Sequence, residues 1–127
     1  MANNKRPTNL DIGTMRLPIT AYVSILHRVS GVATFFALAL LLWLLDTSLA
    51  SEQGFSSVKS LFNEPLLKFI VWGSLAALAY HLVAGLRHLV MDMGIGEETF
   101  DSGRLSAWLA AGVAVITIAA IAGWIYL

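Results

Sequence analysis

The chain has 127 residues, of which 57% are hydrophobic and 13% are charged, and its formal net charge is zero. A neutral chain offers no electrostatic basis for binding nucleic acid, and the lack of cysteine excludes disulfides, thiolate metal sites and iron–sulfur ligation by this chain. The apolar residues are gathered into long blocks, which predicts an all-α membrane protein rather than a soluble domain.

The apolar blocks predict three transmembrane helices that form part of a heteromeric helix bundle. Residues 1–17 are polar and basic, and we expect a retained cytoplasmic segment there, because the apolar run that follows is too long for a cleaved signal. Residues 18–127 are expected to form the three-helix transmembrane domain, with spans at about 22–50, 66–93 and 105–126, each with roughly 20 apolar residues.

The distribution of basic residues predicts how the spans are oriented. Lys5, Arg6 and Arg16 precede the first span, and Arg87 and Arg104 border the loop between the second and third spans. Because basic residues concentrate on the cytoplasmic side of a membrane, we expect a cytoplasmic N-terminus and a periplasmic C-terminus. Both polar clusters of the chain, described next, then lie near the cytoplasmic face.

The first polar cluster lies in the stretch "SILHRVSG", residues 24–31. Ser24, His27, Arg28 and Gly31 follow the spacing i, i+3, i+4 and i+7, which places them on one helix face. A charge at membrane depth is costly unless it meets a partner, a ligand or water, so Arg28 is a candidate site residue. The alternative is that Arg28 extends its side chain to the lipid headgroups.

The second polar cluster lies in the second span, where His81, Gly85 and His88 share one helix face. Neutral imidazole is the usual nitrogen ligand of haem iron, and a glycine one turn away leaves room for a flat macrocycle or another backbone. The alternative for His81 is an interhelical hydrogen bond. His88 lies between Arg87 and Asp92 near the interface, where a solvated role competes with ligation, and we do not assign it to iron.

The number and spacing of the histidines limit the haem to one at most. His81 and His88 lie about 10 Å apart along one helix axis and cannot bind opposite faces of one iron. The second ligand would be His27 or a histidine of a partner subunit. We expect His27 to lie nearer the membrane boundary than His81, which favours the partner. Arg28 and His27 could then neutralise a haem propionate.

The two clusters also carry a family resemblance. Arg6 and Pro7, then "SILHRVSG", then "HLVAGLRHLVMDMG" resemble the cytochrome b556 membrane-anchor subunits of bacterial succinate dehydrogenase, over nearly the whole chain. The resemblance implies a complex of four subunits in the bacterial inner membrane. These are a flavoprotein, an iron–sulfur protein and two membrane anchors that share one haem b and form a ubiquinone site.

The resemblance also implies roles for individual residues. His81 would be the axial haem ligand, and His27 and Arg28 would lie near the haem propionates. Ser24 and Arg28 would line the quinone pocket near the iron–sulfur subunit. Such roles suit their chemistry, because a serine hydroxyl can donate a hydrogen bond to a quinone oxygen and a guanidinium can stabilise negative charge on the reduced quinone.

Succinate oxidation itself is not expected in this chain, which has no dinucleotide fingerprint and no cysteine cluster. The function that the resemblance implies is that of an electron-transport subunit of succinate dehydrogenase (quinone), an enzyme of the tricarboxylic acid cycle. One alternative is the anchor of a quinol:fumarate reductase, which uses the same kind of pocket. Another is a non-redox membrane assembly protein whose polar residues make only interhelical bonds.

Overall fold

The computed structural model describes residues 16–96 and 98–127, so the expected segment at residues 1–17 and the Arg6–Pro7 pair fall largely or wholly outside the described part. Within that part the chain is all-helical, and three of its helices are long and apolar enough to cross a membrane. The predicted fold class is thereby confirmed. The helices are α1 (Ile19–Ala50), α2 (Glu52–Leu61), α3 (Pro65–Asp92) and α4 (Phe100–Tyr126).

Local sequence signals account for where the long helices begin and end. Pro18 immediately precedes α1 and Pro65 lies in the first turn of α3, where the missing N–H of proline costs no helical hydrogen bond. Beyond α3, Gly94 and Gly96 adopt φ values of 81° and 90°, which glycine tolerates best. Thr99 then starts α4 by accepting a hydrogen bond from the backbone N–H of Ser102.

The short helix α2 was not predicted from the sequence. It follows α1 after a single residue, Ser51, whose hydroxyl accepts a hydrogen bond of 2.9 Å from the N–H of Gly54. Val58 of α2 is buried against Leu44 of α1 and Val71 of α3. The helix therefore covers the end of the bundle opposite to the α3–α4 turn.

The helix α3 is central, since it packs against both α1 and α4. At the end of the bundle that holds the α3–α4 turn, Val23, Ala84 and Ala107 form a buried cluster with one residue from each long helix. The Tyr80 hydroxyl donates a hydrogen bond of 2.8 Å to the carbonyl of Val23. Small residues let the helices approach closely there.

The outer faces of the long helices remain apolar and exposed. Phe35 and Phe36, for example, are 73% and 71% exposed. A surface of this kind suits lipid or the helices of partner subunits and not water.

Candidate functional site

The three histidines meet between α1 and α3. The ring of His27 stacks on that of His81, with centroids 4.4 Å apart and an interplanar angle of 18°. It also packs against His88, with centroids 4.9 Å apart. We expected His27 to lie nearer the membrane boundary than His81. In the structure the two rings are in stacked contact, because α1 begins at Ile19 and runs antiparallel to α3.

The imidazole of His81 is held by α1 through one of its nitrogens. Its Nδ1 lies 3.2 Å from the carbonyl oxygen of His27 and 3.3 Å from the hydroxyl oxygen of Ser30. A carbonyl oxygen only accepts, so a hydrogen bond between Nδ1 and this carbonyl requires the tautomer with its hydrogen on Nδ1. The lone pair of Nε2 is then available for a metal.

Two glycines allow the histidines to come this close. A Cβ atom on Gly31 would lie 3.0 Å from Cε1 of His81, and one on Gly85 would lie 3.4 Å from Nε2 of His27. The sequence interpretation reserved the space beside Gly85 for a macrocycle or another backbone. In the structure the His27 ring lies beside Gly85, and Gly85 also lines the cavity described next.

A cavity of about 380 Å³ opens beside the histidines. His81, Gly85 and His88 all line it, which confirms that they share a face. Its walls come from α1 and α3 alone, and three leucines on its rim are 54–60% exposed, so one side is open. The volume lies within the range of about 300–1,000 Å³ that is usual for cofactor sites. The leucines are Leu82, Leu86 and Leu89.

The side chains that line this cavity suit a metal ion that already carries most of its ligands. Among the residues that the structure describes, no group of three or more histidine, cysteine, aspartate or glutamate side chains could hold a metal ion. Haem iron needs only one imidazole nitrogen from a protein chain, and His27, His81 and His88 line this otherwise apolar cavity.

A second cavity, of about 400 Å³, lies among α1, α3 and α4. Ser24 lines it together with Arg87 and His88, whereas Arg28 is exposed and lines neither cavity. His88 is half-buried, and its Nε2 is buried without a hydrogen-bond partner in the described part of the chain. Of the two predicted quinone-binding residues, the structure therefore brings only Ser24 into this polar cavity.

Arg87 is a residue whose importance the sequence interpretation missed. It is only 9% exposed. Its Nε donates a hydrogen bond of 3.1 Å to the Ser106 hydroxyl, and its Nη2 donates one of 3.3 Å to the carbonyl of Gly103. The available signal was its position three residues after Ala84, which directs both side chains towards α4. Arg87 thus fixes the start of α4 against α3.

Comparison with known proteins gives this geometry a family. The family model described as "Succinate dehydrogenase/Fumarate reductase transmembrane subunit" matches residues 2–121. The chain belongs to the succinate dehydrogenase/fumarate reductase transmembrane subunit family. The resemblance noted from the two motifs is confirmed, and membership fits a multi-pass membrane protein with three apolar helices.

Relatives within the succinate dehydrogenase/fumarate reductase transmembrane subunit family align along most of the chain. The "Succinate dehydrogenase cytochrome b556 subunit" of Coxiella burnetii is 38% identical over 125 residues, covering 98% of this chain and 99% of that protein. The protein of the same name from Paracoccus denitrificans is 35% identical over 113 residues, covering 89% and 87%. The "Succinate dehydrogenase cytochrome b560 subunit" of Reclinomonas americana is 32% identical over 119 residues, covering 90% and 82%.

Proposed function

We propose that this chain is one of two membrane anchors of a succinate:ubiquinone oxidoreductase, respiratory complex II. In this role it holds one haem b jointly with the second anchor subunit and lines the site where ubiquinone is reduced. Electrons reach that site from the flavoprotein through the iron–sulfur subunit. Its relatives are named cytochrome b556 subunits of succinate dehydrogenase, which supports the cofactor class and the enzyme.

The observation that carries the proposal is the state of the His81 imidazole. Its Nδ1 lies 3.2 and 3.3 Å from two oxygens of α1, and a ring hydrogen on Nδ1 leaves Nε2 unprotonated in a residue that lines an apolar cavity. Metal-binding histidines almost always donate their other N–H in this way. His81 is therefore our axial ligand to the haem iron, and when bound the haem supplies a one-electron redox centre within the membrane.

A partner histidine is the better candidate for the opposite ligand. The His27 ring is stacked face to face on His81, whereas ligands on opposite sides of an iron must point their nitrogens at each other across the metal. The cavity is also open on one side, and a second anchor subunit would supply the missing wall. His27 then remains a neighbour of the haem propionates, together with Arg28.

Ser24 and Arg28 are our quinone-binding residues. The Ser24 hydroxyl lines a polar cavity near the α3–α4 turn and can donate a hydrogen bond to a quinone carbonyl. Arg28 is exposed one helical turn further along α1, where its guanidinium can contact a quinone held between this chain and its neighbours. Its charge stabilises the negative charge that develops on the quinone oxygen during reduction.

The proposed location is the bacterial inner membrane, with the N-terminus in the cytoplasm and the C-terminus in the periplasm. Arg16 and Arg104 are exposed at the end of the bundle that holds the α3–α4 turn, and basic residues favour the cytoplasmic side. That end also carries the polar cavity, so an iron–sulfur subunit docked from the cytoplasm reaches it directly. The family description also names fumarate reductase, so an anchor that works in the opposite direction is the second candidate.

The haem is tested by expressing the chain with its partner subunits and recording the reduced-minus-oxidised spectrum. We expect His81→Ala to lose the b-type band, while His88→Ala, which removes an imidazole from the same cavity, keeps it. An unchanged band in His81→Ala removes the ligand assignment, and the absence of any b-type band in the assembled wild type would favour a non-redox assembly protein.

The quinone site is tested by measuring two activities of the same purified complex. We expect Ser24→Ala and Arg28→Leu to lower succinate:quinone reductase activity far more than succinate oxidation with a soluble dye. Equal loss of both activities would mean that the substitutions act on assembly of the complex, and an unchanged succinate:quinone reductase activity would contradict the quinone-binding roles.

A further inference from the structure

Ser30 carries a buried hydroxyl group. Neither the proposed quinone site nor the proposed haem ligand explains it. It lies on α1 and is 7% exposed. Its Oγ donates a hydrogen bond of 2.8 Å to the carbonyl of His27, which is the usual bond of a serine within a helix. The same Oγ lies 3.3 Å from Nδ1 of His81 on the facing helix.

The hydrogens of this small network can be assigned from its acceptors. The carbonyl of His27 receives the Ser30 hydroxyl hydrogen and lies 3.2 Å from Nδ1 of His81. Since the serine hydrogen is already used, its oxygen can only accept from Nδ1–H. The single N–H of His81 is thus shared between two oxygens of α1, and both resist rotation of the imidazole.

We propose that Ser30 is a positioning residue for His81: it fixes the rotation of the imidazole and tunes how strongly Nε2 donates electron density to a metal. This inference rests on the proposed function, in which His81 binds the haem iron. The strength with which the Nδ1–H is accepted determines how much electron density Nε2 donates to a metal. Loss of one of two acceptors therefore alters both the ring orientation and the relative stability of ferric and ferrous iron.

The chain offers a matched control one turn away. Thr34 is also buried, at 8% exposed, but its hydroxyl has no hydrogen-bond partner within the described residues. Removing the Thr34 hydroxyl in Thr34→Val perturbs the same helix face without touching the His81 network. Ser30→Thr keeps a hydroxyl at position 30 and serves as the conservative rescue.

The test uses the whole complex with its haem, measured by redox titration and by electron paramagnetic resonance of the ferric haem. In Ser30→Ala we expect the haem to be bound, its g-values to move, and the ratio of ferric to ferrous stability to change by up to tenfold, which is about 59 mV for a one-electron couple. Ser30→Thr and Thr34→Val should match the wild type. Ser30→Ala spectra and potentials equal to those of Thr34→Val overturn the inference.

A further comparison separates this inference from the proposed function. Retention of the haem band in His81→Ala refutes the haem ligand itself, whereas loss of haem in His81→Ala with an unaltered Ser30→Ala refutes only the role of Ser30. If Ser30→Ala does not assemble, Ser30→Cys keeps the side-chain size with a weaker acceptor. Ser30→Cys should then show the shift in g-values, and its absence overturns the inference.

Discussion

Gly31→Ala should displace the His81 imidazole without unfolding the protein. The added Cβ would lie 3.0 Å from Cε1 and 3.4 Å from Nδ1 of that ring, whereas carbon atoms in ordinary contact are about 3.5–4.0 Å apart. The ring must therefore retreat from α1 by roughly 0.5–1 Å. Overpacking of this kind costs about 1–3 kcal/mol, and the helix propensity of alanine offsets about 1 kcal/mol.

The retreat of the ring also weakens its hydrogen bonds, because their acceptors lie on the same helix as Gly31. The Nδ1 distances of 3.2 and 3.3 Å are already long for hydrogen bonds, so a shift of this size breaks them. We expect the haem content of the purified complex to fall and its absorption band to shift. The measurement is the reduced-minus-oxidised spectrum per mole of complex, together with thermal unfolding of the complex.

Two other glycines provide a graded comparison for Gly31→Ala. No atom lies within 4 Å of a Cβ on Gly112, so Gly112→Ala should leave the haem spectrum unchanged. Gly85→Ala introduces a Cβ 3.4 Å from Nε2 of His27 and should have an intermediate effect. Identical haem content and spectra in Gly31→Ala and Gly112→Ala would refute the reasoning.

Three further predictions concern the framework around the site. Tyr80→Phe removes the hydrogen bond to Val23 and should lower the free energy of unfolding by about 0.5–1.5 kcal/mol; a thermal transition equal to that of the wild type contradicts it. Thr99→Ala removes the cap of α4 and should cost about 1 kcal/mol, which Thr99→Ser should largely restore in the same assay. The backbone N–H groups of Glu98 and Gly96 hold the pKa of the Glu98 carboxyl below its usual value, so this contact stabilises the turn above about pH 4.3 and is lost as the pH falls through the lowered pKa. The Gly96 amide chemical shift should therefore titrate below about pH 4.3 in the wild type and not in Glu98→Gln.

Helical spacing predicted the shared faces of this site but not the contacts between them. It placed His81, Gly85 and His88 on one side of a span, and all three line one cavity. It could not show that the His27 ring stacks on His81, since depth across two antiparallel helices depends on where each helix begins. A difference of a few residues at the start of α1 moves a ring by a full helical turn relative to α3.

The residues that were missed are those whose role depends on a second helix. Arg87 was interpreted as a boundary charge, yet it is buried and donates to Ser106 and Gly103 of α4. Ser30 was one polar residue in an apolar run, and only the approach of α3 reveals its contact with His81. A sequence pattern predicts which way a side chain points but not which residues of another helix it contacts.

The open side of the histidine cavity bears on how much of this chain the cell should synthesise relative to its proposed partner. The cavity is walled by α1 and α3 alone and lined by exposed leucines, so in a lone molecule its open, apolar side faces the bilayer. Under the proposed function, synthesis in excess of the second anchor subunit would yield surplus chain without haem, and the amount of haem-containing complex would follow whichever anchor is scarcer.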